Sequence, residues 1–310
     1  MELVSRRAQR IVAIGEGMIE ARADGSLGWG GDAVNTALYL ARQGAAPALL
    51  SAMGADDESD AVVEAWAAEG VGVAHVLRDP ARRAGRYRIT LGAAGQRSFT
   101  YDRDRSAARA FFGLPGAADA LAWAAEADIL FLTGVTLSIY GPEERARLAE
   151  LAGKVRARGG KVAFDPNYRP AGWPSAAEAW RAMAALAPAL SLVLPSIEDH
   201  ERLAGPAEPE AAARAWLALG VEEAVVKLGA EGALAARQGE TARAPAAPAP
   251  HIVDTTAAGD AFNAGYIAAR LLAGAPMAAA LAHAAALAAE TVAWPGAIAP
   301  AHVGRRAFGA

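Results

Sequence analysis

A regular alternation of short apolar runs with longer helix-compatible stretches constrains the fold of this chain more than any other feature. The stretches 33–43 and 59–69 have helical character, and each ends before a glycine. The apolar runs occupy residues 11–14, 49–54, 129–132, 162–165, 192–194 and 223–228. Continuous apolar strands separated by helices are typical of a parallel sheet that is covered on both faces. The pattern therefore predicts an α/β fold of three layers with a mostly parallel central sheet.

The region 84–105 interrupts this alternation. Two runs of alternating character, 86–91 and 97–103, flank a glycine-containing turn, which is typical of a β-hairpin. A lone hairpin is only marginally stable in water. We therefore expect it to join the segment 16–30 in a small sheet that projects from the main domain as a lid. The alternative is an ordinary edge hairpin of the main sheet.

Length and composition limit the class of protein. A chain of 310 residues suits one large α/β domain or two smaller ones, and we expect a single domain spanning 1–310 with a lid at about 16–30 and 84–105. The net charge of −4 provides no basic surface for nucleic acid, and the lack of cysteine excludes disulfides and cysteine-ligated metal. No apolar run is long enough to span a bilayer, and residues 1–10 lack a signal-peptide core. We expect a cytoplasmic protein without membrane or nucleic-acid partners.

The segment 254–260, with the sequence DTTAAGD, is the most informative motif. A helical pattern follows it, so the free amides of the first helical turn lie at Ala257, Ala258 and Gly259, where they suit a phosphate. The carboxylate of Asp260 would repel that phosphate unless it takes a proton from an attacking hydroxyl. The alternative is that Asp254 or Asp260 only caps the helix.

Two further segments carry polar side chains, one at the start of a predicted helix and the other at the end of a predicted strand. At the start of the helix at 33–43, Gly30 and Gly31 allow a polyol to approach the backbone, and Asp32 and Asn35 are placed to hold its hydroxyls. A glycine turn with Asp32 as a helix cap is the alternative. The strand at 162–165 leads into the segment 164–170, FDPNYRP, which contains a guanidinium suited to a carboxylate or phosphate. Its alternative is a surface loop.

Other nucleotide and catalytic motifs are absent or weak. The glycine turn at 227–232 follows a strand and can pass close to a nucleotide. By contrast, Gly15-Glu16-Gly17 lacks the third glycine of a dinucleotide fingerprint, since Glu20 stands there, and neither Gly-Lys pair precedes the Ser or Thr of a P-loop. The chain also has no H-x-x-x-H zinc pair and no G-x-S-x-G nucleophile elbow.

In this order, the motifs resemble those of the ribokinase-like (PfkB) carbohydrate kinases over essentially the whole chain. Segments 15–20, 164–170 and 254–260 are most similar to the subgroup that phosphorylates 2-dehydro-3-deoxygluconate. The resemblance implies a ribokinase-like fold and ATP-dependent phosphorylation of that acid sugar at its terminal hydroxyl, giving 2-dehydro-3-deoxy-6-phosphogluconate, with ATP and Mg²⁺ as cofactors. The alternatives are another ribokinase-like kinase, such as a 2-dehydro-3-deoxygalactonate kinase or a fructokinase, and a sugar-binding protein without turnover.

The resemblance also implies roles for individual residues. Asp260 is implied as the catalytic base, and the amides of Ala257, Ala258 and Gly259 as the anion hole. The implied substrate-binding residues are Gly31, Asp32, Asn35 and Arg169, with Tyr87, Tyr101 and Arg103 from the lid. The implied ATP-binding residues are Ser196, Lys227, Gly229, Gly232 and Gly259.

Three further expectations accompany this assignment. An acid sugar would give Arg103 and Arg169 an anionic partner, which a neutral hexose would not. Ser196 and Asp199 stand where many relatives carry the N-x-x-E element that organises magnesium, so the metal ligands stay unassigned. Thr100 and Asp102 replace aromatic residues of close relatives, and the lid is a candidate surface for a homo-oligomer.

Overall fold

The structure, a computed structural model, describes residues 9–21, 27–91, 97–305 and 308. Its strands are β1 (Ile11–Ile14), β2 (Met18–Ala21), β3 (Leu27–Gly30), β4 (Pro47–Gly54), β5 (Val76–Asp79), β6 (Gly85–Leu91), β7 (Arg97–Asp102), β8 (Ile129–Thr133), β9 (Lys161–Asp165), β10 (Leu192–Val193), β11 (Glu223–Lys227), β12 (Ala233–Arg237) and β13 (Glu240–Ala244). Its helices are α1 (Asp32–Arg42), α2 (Asp57–Ala68), α3 (Ala117–Ala124), α4 (Gly134–Ser138), α5 (Pro142–Ala157), α6 (Ala176–Leu186), α7 (Ile197–Ala204), α8 (Pro209–Ala218), α9 (Ala258–Tyr266) and α10 (Met277–Thr291). A π-helical segment, Ile267–Leu272, continues α9.

The central sheet has nine strands in the order β13-β12-β11-β10-β9-β8-β1-β4-β5. The strands from β11 to β5 are mutually parallel, and only β12 and β13 at one edge run antiparallel. All six predicted strands belong to this sheet, so the prediction of a mostly parallel sheet is confirmed. The pattern missed the edge strands β5 and β13 and their neighbour β12, because these strands are short and carry charged or alanine side chains instead of a run of large apolar residues.

Both faces of the sheet are buried, which explains why its strands are apolar throughout. Along β1, Ile11 and Ala13 belong to one core cluster, whereas Val12 and Ile14 belong to the other. This is the alternation expected when successive side chains point to opposite faces of a strand. Helices α1, α9 and α10 cover the first face, and α3, α5, α6 and α8 cover the second. The predicted three-layer architecture is confirmed.

A second, separate sheet has four strands in the order β3-β2-β6-β7. The pairs β2–β3 and β6–β7 are antiparallel, and β2–β6 is parallel. The predicted hairpin is therefore confirmed as part of a small sheet, and the alternative of an edge hairpin in the main sheet is wrong. Of the segments expected to form this sheet, residues 22–26 and 92–96 lie outside the described residues.

Length and composition decide whether a helix could span a membrane. Within the ranges that the structure describes, none of them is both long and apolar enough to cross a bilayer. The longest apolar helix of the sequence, α10, packs instead against α9 and the core, with Leu281 and Ala284 fully buried.

Candidate active site

A cavity of about 960 Å³ lies where the carboxyl ends of the parallel strands face the small sheet. This is the edge of an open α/β sheet at which ligands usually bind. All fifteen residues that the sequence assigned to catalysis or binding line this one cavity: Gly31, Asp32, Asn35, Tyr87, Tyr101, Arg103, Arg169, Ser196, Lys227, Gly229, Gly232, Ala257, Ala258, Gly259 and Asp260.

The N-terminus of α9 forms one wall of the cavity. Ala257 precedes the helix with a φ of 60°, and within the described residues no side chain caps this helix end. The carboxylate of Asp254 instead accepts hydrogen bonds from the amide of Thr256 at 3.0 Å, its hydroxyl at 2.7 Å and the amide of Gly296 at 2.5 Å. Asp254 thereby fixes the chain that leads into the turn. The alternative that it caps α9 is wrong, and the first-turn amides of α9 face the cavity.

Asp260 lies in the first turn of α9, and its carboxylate does not cap the helix either. Its Oδ2 accepts a hydrogen bond from Asn35 Nδ2 at 2.8 Å. Burial, followed by the nearby carboxylate of Asp32, raises the pKa of Asp260 to about 7, although the hydrogen bond from Asn35 favours the charged form. A carboxylate with a pKa near neutrality is suited to general-base catalysis at neutral pH.

The start of α1 brings a second set of polar groups to the cavity. Gly31 has a φ of 131°, and a Cβ at this position would lie 2.3 Å from the carbonyl oxygen of Glu16. Only glycine fits this close approach of two backbone segments. The carboxylate of Asp32 accepts hydrogen bonds from the amide of Ala33 at 2.8 Å and from Asn167 Nδ2 at 2.7 Å. Asp32 therefore bridges α1 to the loop after β9. The alternative that it caps the helix is wrong, because the cap position is Gly31 and no side chain of the described residues caps α1.

Arg103 and Arg169 line the cavity, but each has a carboxylate neighbour. Arg103 Nη2 lies 2.5 Å from Glu16 Oε2, and Arg169 Nη1 lies 3.7 Å from Asp199 Oδ1. The expectation that a neutral sugar would leave both cations without an anionic partner is therefore wrong. The physical reason is a pairing between residues that are distant in the sequence, which local patterns do not show.

Glu16 is a cavity residue that sequence reasoning did not assign. Its side chain is only 1% exposed, and burial raises its pKa despite the opposing charge of Arg103. Gly85 provides the room for it, because a Cβ there would lie 2.5 Å from Glu16 Oε1. One sequence feature could have identified Glu16 as a site residue: it is an acidic side chain between two glycines at the end of a buried strand.

The two tyrosines of the small sheet face each other in register on β6 and β7. Tyr87 is buried, and its hydroxyl donates to Glu20 Oε2 at 2.9 Å. Tyr101 is half exposed at the cavity, and its ring centroid lies 6.3 Å from that of Tyr87. The small sheet thus brings aromatic surface to the cavity.

The opposite end of the cavity carries the glycine turn at 229–232. A Cβ on Gly232 would lie 2.1 Å from the carbonyl oxygen of Ala244, whereas one on Gly229 would meet no described atom within 4 Å. Ile252 lines the same end and is 72% exposed. The hydroxyl of Ser196 accepts from the amide of Asp199 at 3.1 Å and so caps α7. This end of the cavity therefore combines an open glycine turn with an exposed aliphatic side chain.

Lys227, which is expected on the nucleotide side, also belongs to a buried polar cluster. Its Nζ lies 2.7 Å from Asp165 Oδ2 and 3.1 Å from Asn263 Oδ1, beneath the first turn of α9. Asn263 Nδ2 also donates to Asp165 Oδ2, at 2.6 Å. Neither Asp165 nor Asn263 was among the assigned site residues. Among the described residues, no group of three or more His, Cys, Asp or Glu side chains is arranged to hold a metal ion.

Comparison with known proteins identifies the family to which this chain belongs. Residues 4–303 match the pfkB family of carbohydrate kinases, and the chain belongs to that family. It is 37% identical over 273 residues to the 2-dehydro-3-deoxygluconokinase of Dickeya dadantii, which covers 85% of this chain and 88% of that relative.

Solved structures agree with this assignment. The PfkB protein from Polaromonas sp. JS666 is 30% identical, with a TM-score of 0.81, over 92% of this chain and 96% of its own. The ribokinase of Arabidopsis thaliana, 23% identical, has the same fold, with a TM-score of 0.79 over 96% of this chain and 98% of its own. The fold is therefore ribokinase-like, as the sequence predicted.

Proposed function

We propose that this chain is a 2-dehydro-3-deoxygluconokinase, which transfers the γ-phosphoryl group of ATP to the terminal hydroxyl of 2-dehydro-3-deoxy-D-gluconate. The product is 2-dehydro-3-deoxy-6-phosphogluconate. The observation that carries the proposal is the position of the Asp260 carboxylate beside the N-terminus of α9. A base and an anion site thus share one cavity. The name of the Dickeya relative supports the choice of sugar.

Asp260 is the base of the proposed reaction. With a pKa of about 7, it is charged in roughly half of the molecules at neutral pH. It takes the proton of the sugar hydroxyl as that oxygen attacks the γ-phosphorus in line with the leaving ADP. The amides at 257–259 and the dipole of α9 stabilise the negative charge on the transferred group.

The sugar lies between α1 and the small sheet in this proposal. Gly31 allows the backbone to approach it, and Asp32 and Asn35 bind its hydroxyls. Arg169 and Arg103 bind its carboxylate, and Arg103 keeps Glu16 as a second partner, because a guanidinium presents several donors in a planar fork. The buried Glu16 fixes the orientation of the Arg103 guanidinium before the sugar binds.

ATP occupies the opposite end of the cavity. Gly229 and Gly232 allow its adenosine to approach the turn at 229–232, Ile252 contacts the base, and Ser196 and Gly259 face the phosphates. Glu198 and Asp199 line the cavity, and their carboxylates would hold a magnesium ion that arrives with the phosphates of ATP. Bound with ATP, magnesium neutralises phosphate charge.

The small sheet acts as the lid in this proposal. It is formed from about 16–30 and 84–105 of a single domain spanning 1–310, and its closure over the sugar excludes water from the phosphoryl group. We extend the proposal to a homo-oligomer in which a second copy covers the lid. Light scattering at increasing concentration tests that part, and a monomer at all concentrations contradicts it.

A kinase of a neutral sugar is the second candidate, favoured by one observation. Since Arg103 and Arg169 already have carboxylate neighbours, they do not require an acid substrate. Coupled ADP release from Mg-ATP, measured with 2-dehydro-3-deoxygluconate, its galactonate epimer, fructose and ribose, separates the candidates. We expect turnover of the keto-deoxy acids. Turnover of fructose or ribose alone would favour the neutral-sugar kinase, and no turnover with any would contradict both.

A further inference from the structure

A buried polar cluster lies directly beneath the phosphoryl-binding turn. Lys227 and Asp165 end β11 and β9, and Asn263 lies one helical turn after Gly259 in α9. The side chains of Lys227 and Asp165 are only 13% and 5% exposed, and Asn263 is fully buried. Asp165 accepts from Lys227 at 2.7 Å, from Asn263 at 2.6 Å and from the amide of Asn167 at 3.0 Å.

The cluster joins the central sheet to the catalytic helix. Through Asn263, the ends of two parallel strands are tied to the turn that carries Asp260. A buried ion pair contributes little net stability against apolar residues of similar volume, because both ions lose their hydration. The presence of this ion pair beneath the turn therefore favours a role in positioning the turn and in balancing charge.

The ammonium of Lys227 is also close to the anion site. A Cβ on Gly259 would lie 3.6 Å from Lys227 Nζ, so the positive charge lies just behind the amides of the turn. It acts in the same sense as the dipole of α9, which attracts an anion to this end of the helix.

Asp260 is surrounded by a small number of ionisable groups. Asp32 and Tyr39 face it from α1, Asp165 from the end of β9, and Lys227 from the end of β11. Asn35 donates a hydrogen bond to it from α1, and α10 packs against α9 through Ala284. Lys227 is the cation of this set, and it offsets two carboxylates.

We propose that Lys227 is a positioning residue for phosphoryl transfer, which acts through Asp165 and Asn263 to hold the first turn of α9 and to balance the negative charge around Asp260. This inference rests on the proposed function and deepens it, because it assigns Lys227 to the chemical step and not to the affinity for ATP. Without this cation, Asp165 and Asp32 would hold Asp260 in its protonated form over a wider pH range.

The test compares Lys227→Met, Lys227→Gln and Lys227→Arg in the full-length protein. The matched control is Lys154→Met, because Lys154 also lies 2.7 Å from a carboxylate, that of Glu150, but on an exposed helix surface. The pH profile of kcat and the KM for ATP are measured for each variant.

For the two neutral variants we expect the acidic limb of the kcat profile to move up by about one pH unit or more. With the pKa of Asp260 at about 7 in the native protein, a one-unit rise lowers kcat at pH 7 by about fivefold and has little effect at pH 9. The KM for ATP should stay within about twofold. Lys227→Arg should keep the native limb because it retains the charge, and Lys154→Met should match the native protein.

Three results would overturn the inference. A higher KM for ATP with an unchanged profile would make Lys227 a nucleotide ligand only. A lower melting temperature with an unchanged profile, or failure of both neutral variants to fold, would make the cluster structural only.

A measurement without turnover separates this inference from the proposed function. The ¹³C resonance of the Asp260 carboxyl, assigned by its loss in Asp260→Asn, is titrated in the native protein and in Lys227→Gln. An upward shift of its titration supports the inference even if no sugar in the panel is phosphorylated, and coincident titrations contradict it.

Discussion

Substitution of Asp260 by Asn is the most direct test of the proposed chemistry. The two side chains have nearly the same shape, and the amide oxygen of Asn can still accept the hydrogen bond that Asn35 Nδ2 donates at 2.8 Å. The substitution therefore removes the proton acceptor while preserving the first turn of α9. We expect kcat to fall by about 10²–10⁴-fold, the usual range for the loss of a general base.

The raised pKa of Asp260 adds a pH dependence to this prediction. With a pKa of about 7, the carboxylate is charged in about a tenth of the molecules at pH 6, half at pH 7 and nine-tenths at pH 8. In the native protein, kcat should therefore rise about tenfold between pH 6 and pH 8, and this rise should be absent from the residual activity of Asp260→Asn.

The pKa shift also has a consequence for folding. A carboxyl group whose pKa is higher in the folded protein than in the unfolded chain costs stability once the pH exceeds its unfolded value near 4, and the cost is fully present above about 7. Asp260→Asn should accordingly gain stability relative to the native protein as the pH rises from 4 to 8. Urea denaturation at several pH values measures this difference.

The assay is coupled ADP release for kcat, together with calorimetric titration of Mg-ATP. Binding of ATP should survive in Asp260→Asn, since Asp260 acts on the sugar hydroxyl. Asp119→Asn is a suitable control, because Asp119 is an exposed carboxylate in the first turn of α3. Native-like turnover of Asp260→Asn, or an acidic limb that persists in it, would refute the reasoning.

The remaining predictions concern two pairs of residues around the cavity. Gly232→Ala should destabilise the protein by more than about 2 kcal/mol, because the new Cβ would lie 2.1 Å from the carbonyl oxygen of Ala244, whereas Gly229→Ala should cost about 1 kcal/mol, since only its positive φ opposes the change. Equal losses in urea denaturation would contradict this. Arg103→Ala should raise the KM for an acid sugar far more than for a neutral one, and equal increases would argue against carboxylate recognition. The same variant leaves the buried Glu16 uncompensated, so unfolding should become easier by about 3–5 kcal/mol. Glu16→Gln in the Arg103→Ala background should restore part of this loss, and no recovery would contradict the pairing.

The positions of the main strands along the chain and of the turn before α9 could be predicted from the sequence. Strands buried on both faces must be apolar along their whole length. The strands at 11–14 and 129–132 could therefore be predicted from the local sequence, without knowledge of the strands beside them. The turn at 257–259 could be predicted in the same way, because its small residues and the helical pattern after it are local features. The edge strand β13 is largely exposed and lacks this constraint. The strand β12 is buried but consists mostly of alanine, a composition that does not distinguish a strand from a helix.

The partners of the site residues were decided only by the tertiary structure. Asn35 and Asp260 are 225 positions apart, Asp32 and Asn167 are 135 apart, and Asp165 and Asn263 are 98 apart. The strand order brings these residues to one edge of the sheet, and a local pattern carries no information about which carboxylate meets which donor. For the same reason, the pairing of Arg103 with Glu16 and the raised pKa of Asp260 were not predictable: both depend on burial and on charges contributed by other elements. The sequence by itself determined which segments supply the candidate site residues that line the cavity, and the fold decided how the charges of their side chains are balanced.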